Sequence, residues 1–230
     1  MCILTFKYKM AFPENFPITN KWVHELANII ELHEIKGVCP IDFVHGYKLR
    51  KGQSLILNLD TSDEPGSHYV TLFCKGNNKF SYFDPLGIPP MDLNLQEFFE
   101  NIQKRVKKSK NQVIVEDMET CVQSPLSFFC GLFCIAFVIA QKQNLSNDYF
   151  FNMFFTPPKK LAPNDSLVIE FISSYVQNNI RLTKQKKFFE MIIPLQNFAL
   201  HFLNSVLKSP YATLNNLYEK NQKITIENKN

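Results

Sequence analysis

Several residue types and patterns that mark particular protein classes are scarce in this sequence. Its 230 residues include only 7 glycines and 13 prolines, which excludes collagen-like repeats and Gly/Ser-rich linkers. Six cysteines are too few for a disulfide scaffold in a chain of this length. They form no C-x-x-C pair, and no two histidines have the H-x3-5-H spacing that zinc sites use. We therefore expect reduced thiols inside a cell and no metal site.

Long apolar segments are absent too. The longest apolar run covers residues 126–140, about 15 residues, whereas a helix that spans a bilayer needs roughly 20. Met1–Met10 is polar and interrupted by lysines, which is not the pattern of a signal peptide. The chain does contain 45% hydrophobic and 20% charged residues, a composition typical of a folded globular protein. The sequence thus predicts a soluble intracellular protein that does not bind membranes.

Charge is unevenly distributed along the chain. Residues 1–100 contain 9 basic and 12 acidic residues, whereas residues 101–230 contain 16 and 9, so the second part accounts for the whole net charge of +4. Such a basic half is compatible with a polyanionic partner, although a basic run is more often a solvated helix end or loop. The two densest basic runs are 181–187 and 104–110, the latter with Lys104, Arg105, Lys107, Lys108 and Lys110.

Hydrophobic periodicity predicts an α+β fold. We expect a small mixed or antiparallel sheet, packed on a central buried helix and followed by a helical C-terminal half. We expect a single domain over 1–210 and a polar tail over 211–230. The segment 37–40, which contains Gly37 and Pro40, is expected to end the first helix. The predicted strands are 54–60, 68–74, 79–84 and 112–116, and the predicted helices are 21–33, 95–109, 128–143, 147–155, 165–180 and 188–207.

Cys130 lies at the start of the predicted buried helix, where a thiol has a chemical use. Backbone N–H groups and the helix macrodipole stabilise a thiolate at this position. We expect Ser127 to cap the helix and Gly131 to leave space for a substrate backbone. Considered alone, however, a cysteine in an apolar helix is more often a small core residue.

His68 and Asp84 are predicted neighbours because they flank the two strands of a hairpin. An antiparallel pair brings the start of its first strand beside the end of the second, so Asp84 is expected to hydrogen-bond one nitrogen of His68. Gln123, seven residues before Cys130, is placed to donate to an oxyanion. Each residue has an ordinary alternative, namely a surface histidine, a turn aspartate and an exposed loop glutamine. The ordered set of four favours thiol catalysis.

Three motifs in this sequence resemble those of the adenovirus-protease family of cysteine endopeptidases, which belongs to the same clan as the SUMO-specific proteases. They are GSHYVTLF (66–73), FSYFDPLG (80–87) and QSPLSFFCGLFC (123–134). The resemblance implies an adenain/papain-like fold. It also implies that Cys130 is the nucleophile, His68 the general base, Asp84 its orienting partner and Gln123 the oxyanion donor.

Two departures from the family concern Tyr69, where the adenoviral enzymes have tryptophan, and Cys121, which does not align with the cysteine that binds a short viral peptide in those enzymes. The chemistry itself requires no cofactor, but the resemblance makes DNA and such a peptide candidate activators. DNA contacts would then fall on Lys104, Arg105, Lys107, Lys108 and Lys110. Since no base-reading motif is present, such binding should be independent of sequence and sensitive to salt. Cys134, one turn after Cys130, is expected in the core.

The resemblance predicts a monomeric endopeptidase that cleaves viral or virus-like precursor proteins during virion maturation, in the virion, the host nucleus or both. One alternative is a deubiquitinase or SUMO protease, although the FCGLF sequence around Cys130 favours the adenoviral branch. The other alternative is an inactive DNA-binding virion protein that has kept the fold.

Overall fold

The structure, a computed structural model, describes residues 18–76, 78–106 and 112–208, with the side chains of residues 105, 106 and 201–208 excepted. The predicted polar tail at 211–230 and the basic residues Lys107, Lys108 and Lys110 lie outside the described residues. The prediction of one domain over 1–210 therefore stays a prediction.

Within the described residues, five strands form one mixed sheet in chain order. The three central strands are antiparallel neighbours, while each outer strand runs parallel to the strand beside it. The strands are β1 (Ile35–Pro40), β2 (Ser54–Asn58), β3 (Tyr69–Gly76), β4 (Lys79–Phe83) and β5 (Ile114–Met118).

Helices cover both faces of this sheet. The described helices are α1 (Asn20–Ile29), α2 (Leu93–Val106), α3 (Cys130–Lys142), α4 (Asn147–Asn152), α5 (Asn164–Asn179) and α6 (Leu182–Lys208), with a 3-10 helix at Ile41–Gly46. Because side chains alternate between the faces of a strand, Ile56 belongs to the apolar core that contains α3, whereas Leu55 and Leu57 belong to the core that contains α2. The predicted α+β fold is confirmed.

Helix α3 is the centre of the larger core. Its residues from Cys130 to Ala140 are all buried, as expected for a segment that is apolar on every side. It packs against β3 on one side and against α5 on the other. Phe137 of α3 stacks on Phe83 at the end of β4, with 4.6 Å between the ring centroids. At the start of α3, Gly131 lies close to Tyr69, the first residue of β3, so the helix begins beside the edge of the sheet where β3 begins and β4 ends.

The first strand corrects the prediction for residues 37–40. We expected these residues only to end the first helix, but α1 ends at Ile29 and Ile35–Pro40 pairs in parallel with β2. Along β1, Ile35, Gly37 and Cys39 are buried and the residues between them are more exposed, with a register shift between Ile35 and Gly37. Pro40 is tolerated because it is the last residue of an edge strand.

Other differences are shifts of element ends. Helix α6 begins at Leu182, six residues before the predicted start, and β5 is displaced by two residues toward the C-terminus. None of the helices in the described part of the chain is long and apolar enough to cross a bilayer.

Candidate active site

The hairpin of β3 and β4 brings His68 to Asp84. The pairing of Thr71 with Phe83 places the residue before β3 and the residue after β4 at one edge of the sheet. His68 Nε2 lies 2.7 Å from Asp84 Oδ1, so the predicted contact is present. The same carboxylate oxygen accepts from the Leu86 N–H at 2.7 Å, and Asp84 is fully buried. The carboxylate therefore fixes the imidazole from the interior side.

The environment of His68 favours its protonated form. Burial lowers the pKa of His68, but the charge and hydrogen bond of Asp84, together with the sulfur of Cys130, outweigh burial and raise it. Because Asp84 uses Nε2, Nδ1 is the ring nitrogen left for Cys130. The exposed fraction of the His68 side chain is 14%, whereas that of Cys130 is only 2%. Solvent therefore reaches the pair from the histidine side.

Cys130 is the first residue of α3, as the sequence predicts, but Ser127 does not cap the helix. Phe129 occupies the capping position without a side-chain hydrogen bond. Ser127 lies two residues before that position, too far from the helix start for its hydroxyl to reach the amides of the first turn. Its Oγ instead accepts from the Phe129 N–H at 3.1 Å and donates to Asp165 Oδ1 at 2.7 Å.

The Cβ position of Gly131 faces the apolar core rather than an open cleft, which corrects the prediction that this glycine leaves space for a substrate backbone. A methyl group at this position would lie 2.9 Å from Val23 Cγ2, 3.3 Å from Ile18 Cγ2 and 3.5 Å from Tyr69 Cδ2. Those atoms belong to the core between α1, β3 and α3. The glycine is needed for close approach of these elements. Tyr69, one of the two departures from the family motif, is buried there and donates to Asn20 Oδ1 at 2.7 Å.

Gln123 is buried rather than exposed in a loop. Its backbone N–H donates to the carbonyl of Pro85 at 2.9 Å, which joins its loop to the residue after Asp84. Its side-chain Nε2 donates to the Ser127 carbonyl at 2.9 Å, and within the described part of the chain its Oε1 has no hydrogen-bond partner. Since the amide has two N–H groups, one remains for another acceptor.

The remaining candidates are less closely connected with this site. Cys134 is fully buried in the core, as predicted, and half-buried Cys121 lies near the Gln123 carbonyl, 3.4 Å from Sγ. Lys104 is exposed and lies 3.7 Å from Glu100. The Arg105 side chain and the lysines at 107, 108 and 110 lie outside the described residues.

Two residues near the site were missed by the sequence reasoning. Asn164 and Asp165 begin α5 and are buried, and both hydrogen-bond the loop that leads to Cys130. In the sequence they look like an ordinary polar helix start after Pro163, and polar residues are common there. Their burial depends on the packing of α5 against α3, for which the sequence holds no local signal.

Comparison with known proteins agrees with the motifs. The chain is 27% identical over 182 residues to the protease of ovine adenovirus D serotype 7, covering 68% of this chain and 90% of that protein. It is 26% identical over 148 residues to the protease of snake adenovirus serotype 1, covering 56% of this chain and 74% of the relative.

Among solved structures, two crystal structures of an ASFV protease are similar. The first has 18% identity and a TM-score of 0.45, and the match covers 66% of this chain and 64% of the ASFV protease. The chain thus spans just under two thirds of the length of that protease. The second, of the selenomethionine protein, has 18% identity and a TM-score of 0.43, with 70% and 68% covered.

The family model described as adenovirus endoprotease matches residues 35–192, which is more than half of the chain and includes all four candidate residues. This chain therefore belongs to the adenovirus endoprotease family.

Proposed function

We propose that the chain is a cysteine endopeptidase in which Cys130 is the nucleophile, His68 the general base and acid, and Gln123 an oxyanion donor. The observation that carries the proposal is the 2.7 Å contact between His68 and Asp84 beside the start of α3, where Cys130 is close enough to raise the pKa of His68. A nucleophile, a base and a residue that orients the base are the parts that thiol catalysis requires.

The reaction follows from these positions. The Cys130 proton passes to His68, and the imidazolium beside the sulfur favours the thiolate. The thiolate attacks the scissile carbonyl, and the developing oxyanion accepts from the Gln123 amide and the Cys130 N–H. His68 then gives its proton to the leaving amine, which breaks the C–N bond and leaves an acyl-enzyme. Water, activated by His68, hydrolyses the thioester and restores Cys130.

The substrates in this proposal are viral precursor proteins that are cleaved as virions mature, in the virion or the host nucleus. Support comes from the two relatives, which are both adenovirus proteases. A deubiquitinase or SUMO protease would use the same chemistry. An inactive DNA-binding virion protein would have no need of a histidine fixed by a buried carboxylate next to a cysteine, so an active protease is favoured.

DNA and a short viral peptide are proposed as activators rather than as reactants. DNA would bind without regard to sequence through the basic run at 104–110, with Lys104, Arg105, Lys107, Lys108 and Lys110 contacting phosphates. For the peptide, no residue is proposed, because Cys121 does not align with the family's peptide-binding cysteine. Activation would appear as an increase in kcat or a decrease in KM when either ligand is added.

Proteolysis by the full chain tests this function. Wild type should hydrolyse peptides from a library that includes Gly-rich viral-type sequences, and Cys130→Ala should lower kcat by about 1,000-fold or more. Cys134→Ala, which alters the next cysteine of the same helix, should keep activity and serves as the matched control. Fluorogenic ubiquitin and SUMO substrates, assayed in parallel, should be hydrolysed much more slowly than the peptides. Undiminished hydrolysis by Cys130→Ala would contradict the mechanism, and a strong preference for ubiquitin or SUMO would favour the alternative protease.

A further inference from the structure

The loop from Val122 to Phe129, which connects Gln123 to Cys130, is hydrogen-bonded at two points to the start of α5. Asn164 and Asp165 are neighbours in sequence, and both are at least 98% buried. One contacts the loop just before Gln123 and the other contacts it four residues after Gln123. Two adjacent buried polar residues on another helix thus bracket the glutamine.

Asn164 fixes the loop before Gln123. Its Nδ2 donates to the carbonyl of Val122 at 2.6 Å and to that of Phe155 at 2.7 Å, while its Oδ1 accepts from the Phe155 N–H at 2.9 Å. Both N–H groups and the oxygen of this amide are therefore paired. Val122 and Gln123 also donate their backbone N–H groups to the Pro85 carbonyl at 2.9 Å. The backbone at Gln123 is held from two sides.

Asp165 acts on the other end of the loop through Ser127. Asp165 Oδ1 accepts from the Ser127 hydroxyl at 2.7 Å, and that hydroxyl accepts from the Phe129 N–H at 3.1 Å. The carbonyl of the same serine accepts from Gln123 Nε2 at 2.9 Å. Ser127 is therefore the junction between Asp165, the side chain of Gln123 and the residue before Cys130.

The buried position of the Asp165 carboxyl group is unfavourable for the stability of the fold. Its second oxygen, Oδ2, is buried and has no hydrogen-bond partner among the residues that the structure describes. Burial raises the pKa of Asp165 to about 7, although the Ser127 hydrogen bond opposes the shift. Buried polar atoms without partners are uncommon and destabilising, so a residue that served packing alone would be better apolar.

We propose that Asp165 is a positioning residue for the oxyanion donor, acting through Ser127 on the side chain of Gln123. The inference rests on the proposed thiol chemistry and deepens it. An oxyanion donor helps only when its N–H lies within a few tenths of an ångström of the place where charge develops. The Ser127 carbonyl determines where the Gln123 amide points, and Asp165 and Asn164 determine where Ser127 and Val122 lie.

Kinetics with two reactions of Cys130 test the inference. Peptide hydrolysis passes through an oxyanion, whereas alkylation by iodoacetamide needs the thiolate but no oxyanion donor. Asp165→Leu removes the acceptor for Ser127. We expect it to lower kcat per titrated active site by about 10-fold or more, with KM and the rate of Cys130 alkylation within about twofold of wild type. Asp165→Asn keeps an acceptor oxygen and should recover most of kcat.

Two further variants separate positioning from stability. Val168→Ala removes buried apolar atoms from the same helix, one turn further on, so it should lower Tm without changing kcat per titrated site. Ser127→Ala breaks the same link as Asp165→Leu and tests it should the leucine variant not fold. In a Gln123→Ala background, Asp165→Leu should cause no additional loss of kcat.

Three results would overturn the inference. An unchanged kcat per titrated site in Asp165→Leu and Ser127→Ala would make the contact merely structural. If Asp165→Leu lowered the rates of peptide hydrolysis and of Cys130 alkylation equally, Asp165 would act on the nucleophile rather than on Gln123. If wild type itself shows no hydrolysis that depends on Cys130, the proposed function fails and the inference fails with it, so the wild-type measurement separates the two failures.

Discussion

One carboxylate oxygen of Asp84, Oδ1, forms two hydrogen bonds. The His68 Nε2 and the Leu86 backbone nitrogen each lie 2.7 Å from it. Its other oxygen, Oδ2, is buried, and none of the described residues forms a hydrogen bond with it. Asp84 directly follows β4 and precedes the turn at Pro85 and Leu86, so the strand end fixes the carboxylate and the carboxylate fixes the histidine. The charge of Asp84 also keeps His68 protonated at higher pH than an ordinary imidazole would allow.

Asp84→Asn should therefore lower kcat and shift the pH dependence of kcat/KM. The raised pKa of His68 keeps the imidazolium present up to that pKa, and activity is lost as the pH rises through it. Without the carboxylate charge the pKa of His68 falls, so the alkaline limb of the profile should move to lower pH. We expect kcat to fall by about 100-fold or more.

A pH profile of kcat/KM for wild type and Asp84→Asn is the measurement. Asp63→Asn, which changes an exposed carboxylate in the turn that precedes His68, is the matched control and should leave the profile unchanged. If the alkaline limb of Asp84→Asn coincides with that of wild type, Asp84 does not set the protonation of His68.

Among the secondary-structure elements, α3 has to approach α1 and β3 closely. It begins with the nucleophile candidate, and the next residue is Gly131, whose missing side chain leaves room for Val23 and Tyr69. The sequence-based interpretation assigned this glycine to the substrate because it follows Cys130. That interpretation was wrong, since the direction of the Cβ position at Gly131 depends on how the helix is rotated against its neighbours. Local sequence does not contain this rotation.

Gly131→Ala should destabilise the fold by about 1–3 kcal/mol, because the new methyl would meet Val23 Cγ2 at 2.9 Å in the apolar core. The higher helix propensity of alanine offsets about 1 kcal/mol of this cost at most. Chemical denaturation gives the free energy of unfolding. Gly46→Ala is the control, because among the described residues no atom beyond its chain neighbours and its own helical turn lies within 4 Å of the corresponding methyl position. Equal stability of Gly131→Ala and wild type would contradict the close packing of α1 on α3.

Over the whole molecule, part of the basic excess is neutralised by ion pairs. Lys142 at the end of α3 lies 3.1 Å from Glu34, and Lys184 at the start of α6 lies 2.8 Å from Glu31. These contacts join α3 and α6 to the turn between α1 and β1. One residue of each basic run is thereby engaged within the protein, Lys184 of 181–187 with Glu31 and Lys104 of 104–110 with Glu100, so these ion pairs do not distinguish the two runs.

Replacing Lys107, Lys108 and Lys110 together by glutamine should weaken binding to DNA of any sequence. The slope of log K against log salt should fall in magnitude by roughly 0.9 for each phosphate that the variant no longer neutralises. Fluorescence anisotropy with a labelled duplex, repeated at several salt concentrations, measures both quantities. The control carries the same change of charge at Arg181, Lys186 and Lys187. An equal decrease of affinity in both triple variants would indicate an effect of net charge rather than a binding surface at 104–110.

Much of the fold and site follows from local sequence. The hairpin that joins β3 to β4 and the apolar α3 were predictable, because turn residues and hydrophobic periodicity act over a few residues. The contact of His68 with Asp84 followed from that hairpin, although the two are 16 residues apart. By contrast, β1 was missed because Gly37 and Pro40 look like residues that break structure, and only the pairing with β2 makes them part of a strand.

The sequence alone determined the order His68, Asp84, Gln123 and Cys130 and the elements that carry them, since these depend on short-range patterns and on motifs. Tertiary structure decided which residues hold the site together. Ser127 and Asp165 are 38 residues apart, and no local pattern distinguishes this pair from a helix cap and an ordinary first-turn carboxylate. They meet because α5 packs against α3, and the free energy of that packing comes from apolar side chains that are spread from Ile18 to Ala199.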